Sequence, residues 1–502
     1  MSWLDPELDD AAWDAIENPT PQPRPDRQRT GDPVPLQLAG MSLSSERDRV
    51  AIVMVGLPGS FKTLLCKRMA SYLEFFHSLH VKRFTVSEYL RTSTGRSTAE
   101  HTEDGRSSVE ACWGSALNDL KAFFLSDSQL AASGEEEGEA LDEESGSSGP
   151  PPGCVGFLDA LNLSRGVRKQ VSEELNAIGV RTVFVESIAN EPSVVRACFL
   201  ATYRRSSEYK DLPESEALEK FEHHRDELAK MYEEIDAQSD EAELSWVKLT
   251  NLQTIVIHRV RTYISGRLVQ FLLNFHPFPR TIYLSRHGQS EYNDRGKVGG
   301  DSNLTARGTE YAQRLAKYAE EVICRDSDGE LRPARLWTST LMRTRQTAAF
   351  IRHPTCERGG QPFVVMREKR WTNLDEIYAG ICDGMTYPEI KDKYPEEAKR
   401  RAENKLSYRY PRGESYMDLI ARLEPIAHEL ERHREPLLIV SHQAVLRVIY
   451  CYLKGIPREQ APLISMPLHT IVKLEPHAYD CDEERVPLML DSEGNPQDTP
   501  SH

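Results

Sequence analysis

Short apolar runs that alternate with helical patterns constrain the fold of this chain more than any other feature. The runs at 50–55, 155–158 and 182–185 are almost continuously apolar, which is typical of strands buried on both faces. Charged, amphipathic stretches separate these runs, and this alternation predicts a parallel sheet with helices on both faces. The same alternation begins again at residue 280 and continues to about residue 479. The sequence therefore predicts an α/β protein with two doubly wound domains.

Stretches of biased composition flank and interrupt these two predicted domains. Residues 1–46 are rich in Pro, Asp and Arg without periodicity and predict a disordered tail. Residues 126–153 predict an acidic, solvated insertion within the first domain. An amphipathic helix is predicted over 256–273, just before two prolines. The predicted order is tail 1–46, first domain 47–250, linker helix 251–279, second domain 280–479 and loose tail 480–502.

The composition bears on which partners the chain can have. Its formal net charge of −16 argues against a general role on nucleic acid or at a membrane surface. Its nine cysteines show neither a disulfide spacing nor a CxxC pair, which is typical of a reducing compartment. The N-terminus lacks a signal segment, and no apolar run is long enough to span a bilayer. We therefore expect a cytosolic protein without nucleic-acid or membrane partners.

Two predicted strands of the second domain end in a histidine. The run 281–284 leads into Arg286 and His287, and the run 437–440 leads into His442. Open α/β sheets carry their chemistry at the carboxyl ends of their strands. A neutral imidazole is a good nucleophile toward phosphorus, and a guanidinium beside it can bind phosphoryl oxygens through two hydrogen bonds. Either histidine alone is more often structural, but together they predict an enzyme that forms a phosphohistidine.

Further residues supply what such a nucleophile needs. Arg286, Arg343 and His442 are expected to surround the phosphoryl oxygens and to offset the charge of the transition state. Asn293 adds a neutral hydrogen-bond donor. Glu376 is expected to give a proton to the leaving alcohol and later to accept one from the attacking water. No cofactor is expected for this reaction.

Residues 280–479 resemble the histidine phosphatase superfamily, and specifically the bisphosphatase half of the 6-phosphofructo-2-kinase/fructose-2,6-bisphosphatase family. The resemblance rests on Arg286-His287-Gly288, on Gly-Gly-Asp-Ser at 299–302, and on Tyr-Arg-Tyr-Pro at 408–411. It implies that His287 is the phosphorylated nucleophile, that fructose 2,6-bisphosphate is the substrate and fructose 6-phosphate the product, and that the assembly is a homodimer. The residues that it implies for holding the sugar and its second phosphate are Gly299, Tyr387, Arg401, Lys405, Tyr416, Gln443 and Arg447.

The first domain carries a variant of a phosphate-binding loop. Residues 56–63 read Gly-Leu-Pro-Gly-Ser-Phe-Lys-Thr and lie between a predicted strand and a predicted helix. In such a loop Lys62 would reach the β- and γ-phosphates, and Thr63 would be the metal ligand for Mg²⁺. Residues 47–250 resemble the kinase half of the same family, which implies ATP and Mg²⁺ as ligands. The expected nucleotide-binding residues are Gly56, Gly59, Lys62, Thr63 and Asp159.

Several residues depart from the family pattern. Phe61 replaces the second glycine of the loop motif, which would disturb the loop if this position has a positive φ. Tyr203 stands where the family carries a lysine near the transferred phosphate. Together these two changes predict an impaired kinase half. In the second domain, Gln289 and Tyr378 replace family acids outside the expected catalytic set, and we expect small effects from them.

The sequence favours a hydrolase that removes the 2-phosphate of fructose 2,6-bisphosphate, beside an impaired kinase half. By resemblance, this activity controls the balance between glycolysis and gluconeogenesis. A fully bifunctional kinase and phosphatase that uses ATP is the first alternative. A phosphoglycerate-mutase-like enzyme is disfavoured because a loop-bearing kinase-like domain is fused to the second domain. A catalytically dead, metabolite-sensing scaffold is disfavoured because His287, Glu376 and His442 are all retained.

Overall fold

Two six-stranded sheets form the framework of the part of the chain that the computed structural model describes, namely residues 49–94, 103–136, 153–203, 209, 211–277, 279–477 and 479–489. The elements of the first half and the linker are β1 (Arg49–Val55), α1 (Lys62–His77), β2 (His80–Thr85), α2 (Val86–Thr94), α3 (Glu103–Glu136), β3 (Cys154–Asp159), α4 (Arg165–Asn176), β4 (Arg181–Ile188), α5 (Pro192–Tyr203), α6 (Glu214–Ala229), β5 (Ser245–Thr250), β6 (Thr254–His258) and α7 (Tyr263–Asn274). Those of the second half are β7 (Ile282–Arg286), α8 (Glu291–Asp294), α9 (Ala306–Tyr318), β8 (Arg335–Thr338), α10 (Met342–Ala348), β9 (Thr355–Arg358), β10 (Gln361–Val364), β11 (Glu368–Arg370), α11 (Tyr387–Lys393), α12 (Pro395–Glu403), α13 (Tyr416–Arg432), β12 (Leu437–Ser441), α14 (Gln443–Lys454), β13 (Thr470–Pro476) and β14 (Cys481–Pro487).

The first sheet is parallel except at one edge. Its strands follow the order β2-β3-β1-β4-β5-β6, and β6 runs antiparallel to β5. Residues 50–55 of β1 are fully buried because the strand has neighbours on both sides and helices on both faces. Its even-numbered residues from 50 to 54 pack in one apolar cluster with α1, and its odd-numbered residues from 51 to 55 pack in another with α3. This double burial explains the continuous apolar run in the sequence.

The second sheet places both histidine-bearing strand ends next to each other. Its order is β11-β8-β12-β7-β13-β14, and its first four strands are parallel to one another. Strand β13 runs antiparallel to β7, and β14 runs antiparallel to β13. Ser441 of β12 pairs with Arg286 of β7, so the residues that follow these strands lie side by side. On the other side of β12, Val440 pairs with Thr338 of β8. The carboxyl ends of three adjacent strands therefore meet at one edge.

The predicted α/β class is confirmed, but the helix predicted over 256–273 begins too early. Thr254–His258 forms β6, an edge strand that pairs with β5. The backbone of Arg259 has a φ of 53°, and the side chain of Thr262 then caps α7. The apolar residues of β6 extend the apolar pattern of the helix that follows, so periodicity alone did not separate the strand from the helix.

Regular structure extends into the predicted loose tail and into the predicted solvated insertion. Cys481–Pro487 forms β14, so the second sheet continues past residue 480, where we predicted a loose tail. Its mostly polar side chains hid the strand, whose backbone pairs with β13 along its whole length. Helix α3 continues to Glu136, within the predicted insertion 126–153. The rest of that insertion up to residue 152 and the predicted tail 1–46 lie outside the described residues.

Helices α1, α7 and α13 join the two halves. Buried residues from all three helices belong to one apolar cluster, in which the Tyr72 ring stacks on that of Phe271 at 5.0 Å. The carboxylate of Glu431 in α13 accepts hydrogen bonds from Arg68 in α1 and, at 3.0 Å, from Arg280. Because Arg68 lies in the helix that begins at Lys62, the phosphate-binding loop of the first half connects directly to this interface.

Two absences among the described residues bear on what the chain binds. None of the helices that these residues form combines the length and the apolarity needed to cross a membrane. The same residues contain no group of three or more His, Cys, Asp or Glu side chains placed to hold a metal ion. All nine cysteines are free thiols.

Candidate active site

A cleft opens at the carboxyl ends of β7 and β12. It is lined by twelve of the thirteen residues that the sequence indicated for this domain: Arg286, His287, Asn293, Gly299, Arg343, Glu376, Tyr387, Arg401, Lys405, Tyr416, Gln443 and Arg447. The thirteenth, His442, is fully buried, and its ring lies 5.2 Å from that of His287. The fold thus brings together residues that are scattered over more than 150 positions of the sequence.

The hydrogen bonds of His287 fix its tautomer. Its Nδ1 lies 2.7 Å from the carbonyl oxygen of Gly288, and because a carbonyl can only accept, Nδ1 carries the proton. Its Nε2 accepts a hydrogen bond from Nε of Arg343 at 3.1 Å and therefore carries the lone pair. Burial, with the charges of Arg343 and Arg286, holds the pKa of His287 well below its usual value. The imidazole is therefore neutral at physiological pH.

The backbone of Gly288, whose carbonyl oxygen orients His287, is held in place by neighbouring residues. Gly288 N–H donates to the hydroxyl of Thr347 at 2.9 Å. A Cβ on Gly288 would lie 2.4 Å from the carbonyl oxygen of Gly308, so the close approach of the two segments requires glycine here. This packing aims the Gly288 carbonyl at the histidine ring and so selects the tautomer.

His442 is held by a residue that the sequence did not single out. Its Nε2 lies 2.7 Å from Oγ of Ser339, which is also 2.7 Å from the hydroxyl of Thr344. Its Nδ1 is buried and has no hydrogen-bond partner among the described residues. Burial, with the nearby charge of Arg343, lowers the pKa of His442 well below its usual value. A buried ring nitrogen without a partner marks a position where a ligand atom can bind. The available signal for Ser339 was its place directly after β8.

The inner part of the cleft concentrates positive charge. Arg286 donates to the carbonyl oxygen of Met466 at 2.9 Å, and Arg343 donates to that of Gly300 at 2.6 Å. Burial lowers the pKa of Arg286 to about 10, although the carboxylate of Glu376 opposes the shift. Two buried guanidinium groups facing one partly exposed carboxylate form a site for an anion.

Asn293 can add a neutral donor to this site. Its Oδ1 accepts hydrogen bonds from the backbone N–H and the hydroxyl of Ser290, at 3.1 and 3.0 Å. Because these bonds occupy the oxygen, the amide hydrogens of Asn293 remain for a ligand in the cleft that it lines.

The outer part of the cleft contains a second group of cations among tyrosines. Arg401 donates to the Tyr387 hydroxyl and Arg447 to the Tyr416 hydroxyl, each at 3.2 Å. Lys405 completes the group, and burial, with the repulsion of Arg401 and Arg447, lowers its pKa to about 8. Two separate groups of cations in one cleft suit a ligand with two anionic groups.

Residues that we expected to lie outside the catalytic set also line the cleft. These residues are Gln289 and Tyr378. Gln289 accepts a hydrogen bond from the hydroxyl of Thr305 at 3.0 Å through its side-chain oxygen. Arg409 belongs to the Tyr-Arg-Tyr-Pro segment at 408–411. It forms an ion pair with Asp418 at the surface and does not line the cleft.

The loop between β1 and α1 has a positive φ at three positions. Gly56 and Gly59 have φ values of 132° and 79°, and Phe61 has a φ of 60°. Phe61 thus occupies a backbone conformation that costs a residue with a Cβ about 1–2 kcal/mol. Its side chain is buried in the apolar cluster on the α1 face of the sheet.

Lys62 and Thr63, at the start of α1, lie close to Asp159 at the end of β3. Lys62 Nζ donates to the carbonyl oxygen of Leu57 at 2.7 Å, and burial lowers its pKa to about 8. Burial raises the pKa of the Asp159 carboxyl, the nearby Lys62 and Thr63 oppose this shift, and its Oδ2 is buried without a hydrogen-bond partner among the described residues. An ammonium, a hydroxyl and an unpaired carboxylate oxygen fit a nucleotide with Mg²⁺, which takes few protein ligands. Tyr203 brings no cation to this group, and its hydroxyl donates to the carbonyl oxygen of Leu212.

Comparisons with known proteins agree with the two halves of the structure. Residues 282–487 match the family model of the histidine phosphatase superfamily (branch 1), and residues 39–132 and 149–279 match that of 6-phosphofructo-2-kinase. The 6-phosphofructo-2-kinase/fructose-2,6-bisphosphatase 3 of Rattus norvegicus is 35% identical over 447 residues, which are 88% of this chain and 72% of the rat protein. The fructose-2,6-bisphosphatase of Saccharomyces cerevisiae is 35% identical over 450 residues, 87% of this chain and 88% of the yeast protein. The 6-phosphofructo-2-kinase/fructose-2,6-bisphosphatase of Caenorhabditis elegans is 36% identical over 445 residues, 88% of this chain and 89% of the worm protein. The chain therefore belongs to the 6-phosphofructo-2-kinase/fructose-2,6-bisphosphatase family, and its second half is a histidine phosphatase domain.

Proposed function

We propose that the cleft hydrolyses the 2-phosphate of fructose 2,6-bisphosphate through a phosphohistidine at His287. The observation that carries this proposal is the neutral His287 ring, with its Nε2 lone pair among buried guanidinium groups. A phosphoryl oxygen that enters the cleft offers Arg343 a charged acceptor, which is stronger than a neutral ring nitrogen. The guanidinium then leaves the lone pair free for attack.

In the first step, Nε2 of His287 attacks phosphorus, and the bond between phosphorus and the sugar O2 breaks. Arg286 and Arg343 bind the phosphoryl oxygens, and the unpartnered Nδ1 of His442 donates a further hydrogen bond when it carries the ring proton. Glu376, in its protonated form, gives its proton to the departing O2. The products of this step are fructose 6-phosphate and the phosphoenzyme.

In the second step, water attacks the phosphohistidine. Glu376, now a carboxylate, accepts one proton of that water while the bond between phosphorus and Nε2 breaks. Inorganic phosphate leaves, His287 is again neutral, and Glu376 is again protonated. The two steps together consume one water and are those of a phosphoric monoester hydrolase.

The outer cations account for the choice of substrate. Arg401, Lys405 and Arg447 line the same cleft as His287 and bind the 6-phosphate, which takes no part in the chemistry. A monophosphate would leave these three charges without an anion.

We further propose that the kinase half forms fructose 2,6-bisphosphate slowly. Lys62, Thr63 and Asp159 would hold ATP and Mg²⁺, and bound ATP would supply the phosphoryl group. Two observations support slow transfer: Phe61 strains the loop at a φ of 60°, and Tyr203 supplies no cation. A loop under strain holds its N–H groups less firmly in the geometry that binds phosphate.

The hydrolase proposal is tested with the purified full-length chain and fructose 2,6-bisphosphate. We expect equal amounts of phosphate and fructose 6-phosphate, and we expect no release by His287→Ala. His353→Ala is the matched control, because His353 is exposed and outside the cleft, and should keep full activity. Absence of phosphate release from the wild type, or full activity of His287→Ala, would rule the proposal out.

The kinase proposal is tested in the His287→Ala background, where the product is not hydrolysed. We expect little ATP-dependent formation of fructose 2,6-bisphosphate and an increase when Phe61→Gly is added. Synthesis at a rate comparable to the hydrolysis rate of the wild type would instead favour the fully bifunctional alternative.

A further inference from the structure

We propose that Arg422 is a positioning residue that holds Glu376 in place for proton transfer; this rests on the proposed function of the cleft. Arg422 lies in α13 and does not line the cleft, so it cannot touch the substrate there. It acts on the segment 372–378, which carries Glu376 near its centre.

The guanidinium of Arg422 binds the start of this segment from the side of α13. Its Nη1 donates to the carbonyl oxygens of Thr372, Asn373 and Asp375, at 3.2, 2.8 and 3.0 Å. Its Nη2 donates to the same Asp375 oxygen at 3.0 Å. In return, the Asn373 side-chain amide donates to the carbonyl oxygen of Arg422 at 2.7 Å.

Arg422 also holds the end of the segment, through Glu414. Its Nε and Nη2 bind the two carboxylate oxygens of Glu414, each at 3.0 Å. Glu414 in turn accepts from the Tyr378 N–H at 3.1 Å and donates its own N–H to the Tyr378 carbonyl at 2.8 Å. One side chain thus fixes the backbone on both sides of Glu376.

A second anchor ties the segment to the strand edge. The carboxylate of Asp375 accepts from the N–H and the hydroxyl of Thr340, each at 2.7 Å. Glu376 itself accepts a hydrogen bond from the N–H of Ile377, a bond inside its own segment, at 3.0 Å. Arg286 and Arg343 attract the Glu376 carboxylate through its charge, but the position of its backbone against the leaving oxygen depends on the two anchors.

Proton transfer requires this carboxyl group within hydrogen-bond reach of the leaving oxygen, and a shift of about 1 Å can cost about 100-fold in rate. The loss should depend on the leaving group. The sugar O2 is a poor leaving group that needs a proton, whereas 4-nitrophenolate leaves without one. Loss of the Arg422 anchor should therefore slow phosphorylation of His287 by fructose 2,6-bisphosphate and spare phosphorylation by 4-nitrophenyl phosphate.

The test measures the rate of phosphoenzyme formation from each substrate by rapid quench with the full-length chain. For Arg422→Gln we expect a loss of about 10- to 100-fold with fructose 2,6-bisphosphate and of less than about threefold with 4-nitrophenyl phosphate. The affinity for fructose 2,6-bisphosphate should stay within about twofold, because the cations that bind it are untouched. Arg432→Gln is the matched control, since Arg432 lies in the same helix in an exposed ion pair with Glu429, and it should behave as wild type.

Two further variants keep the test decisive if Arg422→Gln folds poorly. Asp375→Ala removes both hydrogen bonds of the second anchor and should give the same dependence on the leaving group. Glu376→Gln gives the largest decrease expected in the rate of phosphoenzyme formation from fructose 2,6-bisphosphate. Adding Arg422→Gln to this variant should lower the rate no further, because both changes impair the same proton transfer.

The role of Arg422 would be overturned if Arg422→Gln slowed phosphoenzyme formation equally with both substrates. It would also be overturned if the effects of Glu376→Gln and Arg422→Gln on this rate were additive. Unchanged rates of phosphoenzyme formation in Arg422→Gln and Asp375→Ala would overturn it as well. If the wild type forms no phosphoenzyme from fructose 2,6-bisphosphate, the proposed function fails first and this proposal with it, so the two failures are distinguishable.

Discussion

Replacing Glu431 by glutamine should lower the free energy of unfolding by about 3–5 kcal/mol, because it removes the counter-charge of the buried Arg280 and of the partly buried Arg68. Glu431 is fully buried between the two halves of the chain. Its carboxylate accepts hydrogen bonds from Arg68 of the first half, from Arg280 after the linker, and from the Tyr452 hydroxyl of the second half.

The magnitude also follows from the acidity of this group. Burial alone would raise the pKa of Glu431, but the charges of Arg68 and Arg280 outweigh it and hold the pKa at about 2, against an ordinary value of 4.5. The difference between the two values corresponds to about 3 kcal/mol at neutral pH. Because the folded pKa is the lower one, this stabilisation is complete above about pH 4.5 and is lost as the pH falls toward 2.

The assay is chemical denaturation of the full-length chain, followed by tryptophan fluorescence at a series of pH values. Glu429→Gln is the matched control, because Glu429 lies in the same helix and pairs with the exposed Arg432. Such surface pairs contribute about 0–1 kcal/mol, so this variant should stay close to the wild type.

Two results would refute the reasoning. One is a decrease of less than about 1 kcal/mol in the free energy of unfolding of Glu431→Gln at pH 7, which would mean that other groups stabilise the two arginines. The other is an acid limb between pH 4.5 and 2 that is as steep in the variant as in the wild type.

Three further predictions concern the cleft. Since the pKa of Lys405 is about 8, kcat/KM for fructose 2,6-bisphosphate should fall as the pH rises through 8. Lys405→Arg should move this fall to higher pH, and a fall at the same pH in both proteins would show that Lys405 does not cause it. Ser339→Ala removes the partner of His442 Nε2 and should lower kcat about tenfold without unfolding the chain, whereas a change below twofold would count against it. Gly299→Ala would place a Cβ 1.8 Å from a carboxylate oxygen of Asp383 at a φ of 69°, so KM should rise severalfold, and an unchanged KM would show that the loop adapts.

The sequence predicted those parts of the fold that rest on local pattern. Strands β1, β7 and β12 are buried on both faces, which gives continuous apolar runs. His287 and His442 follow two of these strands directly, so the order of strands and helices along the chain was enough to infer that they meet at one sheet edge. Strand β14 could not be inferred in this way, because it is a polar edge strand whose order comes from pairing with β13.

Other features depend on contacts that a single sequence does not encode. Arg422 binds backbone carbonyl oxygens 47 to 50 positions away. Every residue type has a backbone carbonyl, so the sequence of that segment gives no sign of this contact. The side chain of Ser339 bonds to that of His442, which lies 103 positions further along the chain. From the sequence we expected Phe61 to disturb the loop only if its φ was positive. Its φ of 60° depends on how the loop packs in three dimensions.

The most direct test of the account is to find the phosphoryl group on the enzyme. The full-length chain is mixed with fructose 2,6-bisphosphate, quenched in alkali within milliseconds, digested and analysed by mass spectrometry. The account predicts a transient phosphate on Nε2 of His287, formed before free phosphate appears and absent in His287→Ala. Release of phosphate without a labelled His287, or a label on another residue, would contradict it.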